Sequence, residues 1–382
     1  MEGRENFREK MEGEFNNFVM VWVLAFVSFS YCYTMAKIIP SGRARLLTII
    51  PVMAFFLFLP LRLNTLHLGG TFAFFIAWLA NFKLLLFAFG EGPLASDPSI
   101  SLLRFAALAS LPIKIQQNPP PNGPYRENPS LEKPKKGQKS PVVYTVKGVV
   151  LAMVIVAAHF SEDMHPIVSL FLLLFQMYLS LEFILALVAT LPRVLLGMEL
   201  APQFNEPYLS TSLQDFWGRR WNIMATSILR PTVYLPTLHV SARLFGRKWA
   251  PIPAVMATFI VSAVMHELIF YYMGRTAPTW HISFFFVLHG LCLTVELALK
   301  KVLGGILALP AFVSGPLTVA FVVSTGFWLF FPQLLRLKAD VRAIEEYAAF
   351  VAFLKDIGRA LTFNLIRGYQ SATYESFVHD YP

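Results

Sequence analysis

The chain alternates between long apolar runs and short polar breaks. A bilayer core takes about 20 apolar residues per helix, and runs of that order occur at Phe18 to Ile39, Leu46 to Leu61, Thr71 to Phe89, Val142 to Phe160, Met164 to Leu191, Trp249 to Met273, Trp280 to Leu299 and Gly305 to Leu334. A shorter run, Ser99 to Ile113, holds Arg104 and reads as an interfacial or re-entrant helix. The last long run contains Pro310 and a Gly315-Pro316 step, which predicts either one kinked helix or two short ones. The pattern predicts an all-α polytopic membrane protein with about eight or nine transmembrane helices.

Two stretches break the pattern. Residues 114–141 are basic and rich in proline, without periodicity, and read as a solvated cytosolic linker. The linker divides an N-terminal group of helices, 1–113, from a larger catalytic transmembrane region, 142–382. The other stretch, Pro192 to Lys248, is mixed in polarity and reads PQFNEPYLSTSLQDFWGRRWN near its start, so it belongs at the membrane surface or where protein covers it. An amphipathic helix is expected between 341 and 364.

Composition confirms the solvent, since 56% of the 382 residues are hydrophobic and 14% are charged, outside the range of soluble domains. The net charge of +9 comes from short clusters between spans, which speaks for topology and anionic membrane lipids and against nucleic acid. Lys37, Arg43 and Arg45, the linker lysines, and Arg219 through Lys248 share one side, assigned to the cytosol, with the N-terminus across the membrane. The first apolar run is longer than a signal-peptide core and lacks a small-residue cleavage site, so it is expected to be retained. Cys32 and Cys292 both lie in apolar runs, and no disulfide framework follows from them.

Ionisable residues inside spans are costly, which singles out Lys83, Glu182, His266, Glu267 and Glu296. His266, in VSAVMHELIFYY, is the strongest candidate, because an imidazole accepts a proton near neutral pH and serves as a general base. The HExxH zinc pattern is incomplete, since Phe270 stands where the second histidine belongs, and His281 and His289 lack a supporting carboxylate pattern. No metal is expected. In DFWGRRWN the tryptophans and arginines suit the interface and its headgroups, whereas Asn222 offers an amide that donates to a carbonyl oxygen or orients a base. The arginine pair also suits the phosphates of a nucleotide-like thioester carrier. No GxSxG is present, which favours direct transfer over a serine nucleophile.

APQFNEPYLSTSLQDFWGRRWN followed by VSAVMHELIFYY resembles the membrane-bound O-acyltransferases, and within them the plant wax synthases. The resemblance implies that His266 and Asn222 are catalytic and face a chamber buried in the bilayer, with Trp217, Arg220 and Trp221 as substrate-binding residues. It further implies acyl-CoA as co-substrate with no bound cofactor, a long-chain fatty alcohol as acceptor, and the endoplasmic reticulum membrane as the site. Sterol and diacylglycerol acceptors remain alternatives. Related branches carry an FYxDWWN-like motif where FWGRRWN stands here, so the acidic position does not transfer. A transporter using Lys83, Glu182 and Glu296 is the competing class.

Overall fold

The apolar runs close into helices because only a helix pairs every backbone N–H and C=O within its own segment in lipid. The computed structural model describes residues 2–112, 141–158, 160, 164–197, 203–304, 309–353, 355, 358–359 and 362. Of the predicted linker, 114–141, all but Pro141 lies outside the described residues, and Pro141 opens the next helix. In chain order the helices are α1 (Glu2–Ile38), α2 (Arg43–Phe58), α3 (Leu66–Ala88), α4 (Leu102–Ser110), α5 (Pro141–Ala158), α6 (Pro166–Leu196), α7 (Ile223–Leu229), α8 (Leu235–Trp249), α9 (Pro251–Gly274), α10 (His281–Val302), α11 (Ala311–Arg336) and α12 (339–353). Seven are long and apolar enough to cross a membrane, α2 with the 3-10 turn that continues it to Arg62, a span of 20 residues. α5 is shorter, its 18 residues spanning about 27 Å at about 1.5 Å each.

Hydrogen bonds at the helix ends reveal how these segments run. At one end, the Gly42 N–H donates to the Ala88 carbonyl at 2.7 Å, and the Arg45 guanidinium donates to carbonyls of Ala36, Ile39 and Phe87. At the other end, Glu14 accepts from the N–H groups of Asn64 and Thr65 at 2.7 and 2.8 Å, and Arg275 donates to the carbonyls of Pro60 and Leu63. Arg342 joins that end through the carbonyls of Met273 and Asn64. Ala88 thus lies at the first end. Pro166 lies at the second, where α6 faces Leu335 and Asp340 across a shared cavity. One passage must separate Ala88 from Pro166, and among the described residues α5 supplies it. Glu14 and Glu346 both bind the Asn64–His67 turn, so an even number of passages separates them, as α5 and the seven longer helices together provide.

α3 is the central helix. Of its most apolar stretch 78% is buried, against 22% for α1 and for α9, which expose apolar residues such as Val19, Val23 and Phe26 on α1 and Ile260 and Val264 on α9. Phe72, Phe75, Ile76, Leu79 and Leu84 of α3 pack with Phe29 of α1, Phe56 of α2 and Phe105 of α4. The fully buried Lys83 sits in this core with its ammonium on the carbonyls of Leu108 and Leu111, both at 2.6 Å, where α4 ends. The negative end of the α4 dipole and two orphan carbonyls there satisfy the cation. The Pro316 step does not split the last span. α11 runs through Pro316, starts directly after Pro310, and changes geometry instead at a π-helical turn, Gly326–Phe330.

Candidate active site

His266 lies on α9, half-buried among apolar neighbours. Its Nδ1 lies 2.7 Å from the Ser262 carbonyl one turn earlier, which can only accept, so Nδ1 carries the proton and donates. In the neutral ring this leaves Nε2 as the proton acceptor. Two rings fix its plane: Phe286 of α10, with centroids 4.1 Å apart, and the edge of Trp78 of α3 at 5.9 Å. Glu267 does not orient this histidine. Its carboxylate accepts from the Ser283 N–H at 3.1 Å and so caps the first turn of α10.

The DFWGRRWN motif forms a π-helical turn, Phe216–Arg220, which ends as Asn222 enters the left-handed region at φ 40, ψ 66. Asparagine tolerates that conformation better than other residues with a Cβ. The Asn222 Oδ1 then accepts from the Ala225 N–H at 3.1 Å and caps α7. With the oxygen so used, the amide nitrogen is the end left to donate elsewhere. Ala225 and Leu229 of the capped helix pack on Trp78, the tryptophan that edges His266. The helix that Asn222 caps and the ring of His266 therefore both contact one tryptophan.

Trp217 is linked to His266 through Phe286. Its ring contacts Phe259, Phe285 and Phe286, and Phe286 covers the His266 ring. Trp221 instead stacks on Phe216, with centroids 5.5 Å apart at 14°, and on Tyr178 of α6. Arg220 donates to Asp215 at 2.7 Å and to the carbonyls of Asn205 and Glu206. Backbone bonds from Asn205 N–H to Arg220 and from Ile223 N–H to Gln203 run beside it. This zips the QFNE segment against the RRWN segment and gives the two halves of the sequence pattern a common structural reason. Arg219 next to it is exposed.

The residues of the competing transporter reading have structural partners. Lys83 caps α4, Glu182 pairs with Lys147 between α6 and α5 at 2.6 Å, and Glu296 accepts from Lys300 and from the Leu213 N–H at the start of the motif turn. Among the described residues no three His, Cys, Asp or Glu side chains come together in a way that holds a metal ion. A cavity of about 660 Å³ between α6 and α12, lined by Leu173, Gln176, Asp340 and Ile344, borders none of the site residues.

Sequence reasoning missed two groups at this site. Trp78 looked like one more apolar residue of its span, and His289 was weighed only as a metal ligand. His289 is fully buried and bonded to Trp217, 72 residues away, so no local spacing betrays it. Trp78, Trp217 and Thr325 all lie on or beside π-helical turns, a deviation that recurs at functional sites and has no simple sequence signal.

A multi-pass helical membrane protein with a half-buried histidine set among aromatic rings is the class that fold and site define. The chain matches the Membrane bound O-acyl transferase family over residues 200–288, which span both motifs. It is 46% identical to acyl-CoA–sterol O-acyltransferase 1 of Arabidopsis thaliana, over 91% of this chain and 98% of that protein. It is 44% identical to the long-chain-alcohol O-fatty-acyltransferase of Simmondsia chinensis, over 88% of this chain and 95% of that one. With the probable long-chain-alcohol O-fatty-acyltransferase 1 of Arabidopsis thaliana it shares 44% over 88% and 96%. The chain belongs to the membrane-bound O-acyltransferase family and is an acyltransferase.

Proposed function

We propose that this acyltransferase moves a fatty acyl group from acyl-CoA to the hydroxyl of a long-chain alcohol, forming a wax ester, in the endoplasmic reticulum membrane. The observation that carries the reading is the tautomer of His266, whose Nδ1–H is held by the Ser262 carbonyl so that Nε2 is left to accept a proton. The acceptor hydroxyl gives its proton to Nε2 as its oxygen attacks the thioester carbonyl carbon. The tetrahedral intermediate collapses with cleavage of the C–S bond, and the imidazolium returns the proton to the departing thiolate of CoA. Asn222, its oxygen engaged on α7, donates from its amide nitrogen to the carbonyl oxygen as negative charge gathers there. Trp217 and Trp221 give the acyl chain an aromatic wall, and Arg220 holds the motif turn through Asp215.

A sterol acceptor is the second reading, favoured by the 46% identity to a sterol O-acyltransferase over nearly the whole chain. Membranes containing the protein, given labelled acyl-CoA with a fatty alcohol, a sterol or diacylglycerol in parallel, decide between them. Wax ester as the main product supports the first reading, and steryl ester as the main product replaces it with the second.

A further inference from the structure

His289 sits on α10 with no exposed surface, and both of its ring nitrogens are committed. The indole N–H of Trp217 points at Nδ1 at 3.1 Å, and an indole can only donate, so Nδ1 is the unprotonated nitrogen. Nε2 then carries the hydrogen and donates to the Thr325 hydroxyl of α11 at 2.8 Å. That hydroxyl passes its own hydrogen to the Phe321 carbonyl at 2.7 Å. The chain from indole to imidazole to hydroxyl to carbonyl is satisfied at every step and runs in one direction only. A second proton on His289 would face the indole N–H, so this histidine is neither a spare base nor a free ligand.

The relay ends on a ring that matters to the base. Trp217 contacts Phe259 at 5.6 Å and Phe286 at 5.9 Å, and Phe286 covers His266 at 4.1 Å. Among the described residues His289 supplies the hydrogen bond to the Trp217 indole, adding a directional restraint to the packing of its ring on Phe259, Phe285 and Phe286. Thr325 is the last residue before the π-helical turn Gly326–Phe330, and this places its hydroxyl toward α10.

We infer that His289, backed by Thr325, is a positioning residue for acyl transfer, fixing the indole of Trp217 and through it the aromatic wall that orients His266. The inference rests on the acyl-transfer reading only for its kinetic readout.

The test is a double-mutant cycle of His289→Leu and Trp217→Phe in detergent-purified full-length protein, with hexadecanoyl-CoA and either hexadecanol or a sterol as probes. Each single variant should lower kcat by about tenfold, the loss of one buried hydrogen bond expressed as a rate, with KM for hexadecanoyl-CoA within about twofold. The double variant should be no slower than the slower single one. Thr325→Val should fall in the same direction and Thr325→Ser should recover most of that loss. Multiplying losses, or an effect confined to KM, would overturn the inference. A readout independent of turnover keeps the two readings apart. The hydrogen-bond-sensitive indole band of Trp217, taken as the ultraviolet resonance Raman difference between wild type and Trp217→Phe, should shift in His289→Leu. An unshifted band overturns the inference even where no ester is formed, and absence of ester with a shifted band counts against the acyl-transfer reading alone.

Discussion

Asn222 allows structure and chemistry to be separated at one position. Its backbone is left-handed at φ 40, its oxygen caps α7 through Ala225, and its amide nitrogen is assigned to the reacting carbonyl. Alanine removes all three features. Loss of the cap costs about 1 kcal/mol, and forcing a Cβ without a stabilising side chain into the left-handed region costs about 1 kcal/mol more. Asn222→Ala is therefore expected to destabilise by about 2 kcal/mol. Asn222→Gly tolerates the backbone and caps acceptably, so its cost stays at a few tenths of a kcal/mol. Asn222→Asp keeps both the cap and the tolerance of the left-handed region while exchanging the amide donor for a carboxylate, so it should unfold close to wild type. Its rate, however, should drop by about 10²- to 10³-fold, the usual consequence of removing one donor to a developing oxyanion. Thermal unfolding of the detergent-solubilised variants and initial rates of ester formation are the two assays. An Asn222→Asp enzyme with undiminished rate refutes the donor role, and an Asn222→Gly enzyme less stable than Asn222→Ala refutes the backbone argument.

Other consequences follow from the same geometry. Lys83→Met should lower the unfolding temperature, because it strands the carbonyls of Leu108 and Leu111 at a cost of about 1 to 3 kcal/mol, without selectively affecting KM for either substrate. Lys147→Met should destabilise strongly by leaving the Glu182 carboxylate without that cation, and adding Glu182→Gln should restore much of the loss, as measured by unfolding in detergent. Arg220→Lys keeps the charge and gives up the planar fork that joins Asp215 to the carbonyls of Asn205 and Glu206, so kcat and stability should fall more than acyl-CoA KM rises. Glu346 on α12 is pushed up by burial but pulled further down by hydrogen bonds from His67 and Leu66, leaving its carboxyl below the ordinary value of 4.5. A depressed carboxyl contributes stability above its unfolded value that is lost as pH falls below it, so acid should loosen α12 from α3 below about pH 4.5, and Glu346→Gln should flatten that dependence in a limited-proteolysis assay.

The spans were legible because their signal is local. Predicted runs and observed helices differ by a few residues at most ends, but α1 begins at Glu2 against a run from Phe18, and α3 begins at Leu66 against Thr71, in a Leu-His-Leu-Gly-Gly turn whose first two N–H groups are capped from afar by Glu346. His266 stood out for the same reason, a lone imidazole in a long apolar helix, and the structure places it on α9 beside Trp78 and Phe286. Partnerships between distant residues were not. Lys83, Glu182 and Glu296 stood out as charges in lipid, and only the fold reveals a helix end, an ion pair and a capped motif turn as their reasons. Asn222 was read as an amide of use to chemistry, but the left-handed turn that aims it depends on the preceding π-helical turn. The side on which α12 lies was open in the sequence, and the hydrogen bonds of Glu346 with Leu66 and His67 decide it.

The claim at the centre is that the Nε2 of His266, freed by the Ser262 carbonyl, takes the acceptor proton. The direct measurement is ester formation by purified wild-type and His266→Ala protein at equal, monodisperse concentration, given labelled acyl-CoA with a fatty alcohol or a sterol. The account predicts ester from wild type and a loss of about 10²-fold or more in the variant, with unfolding temperature little changed. Ester formation by His266→Ala at the wild-type rate would contradict it.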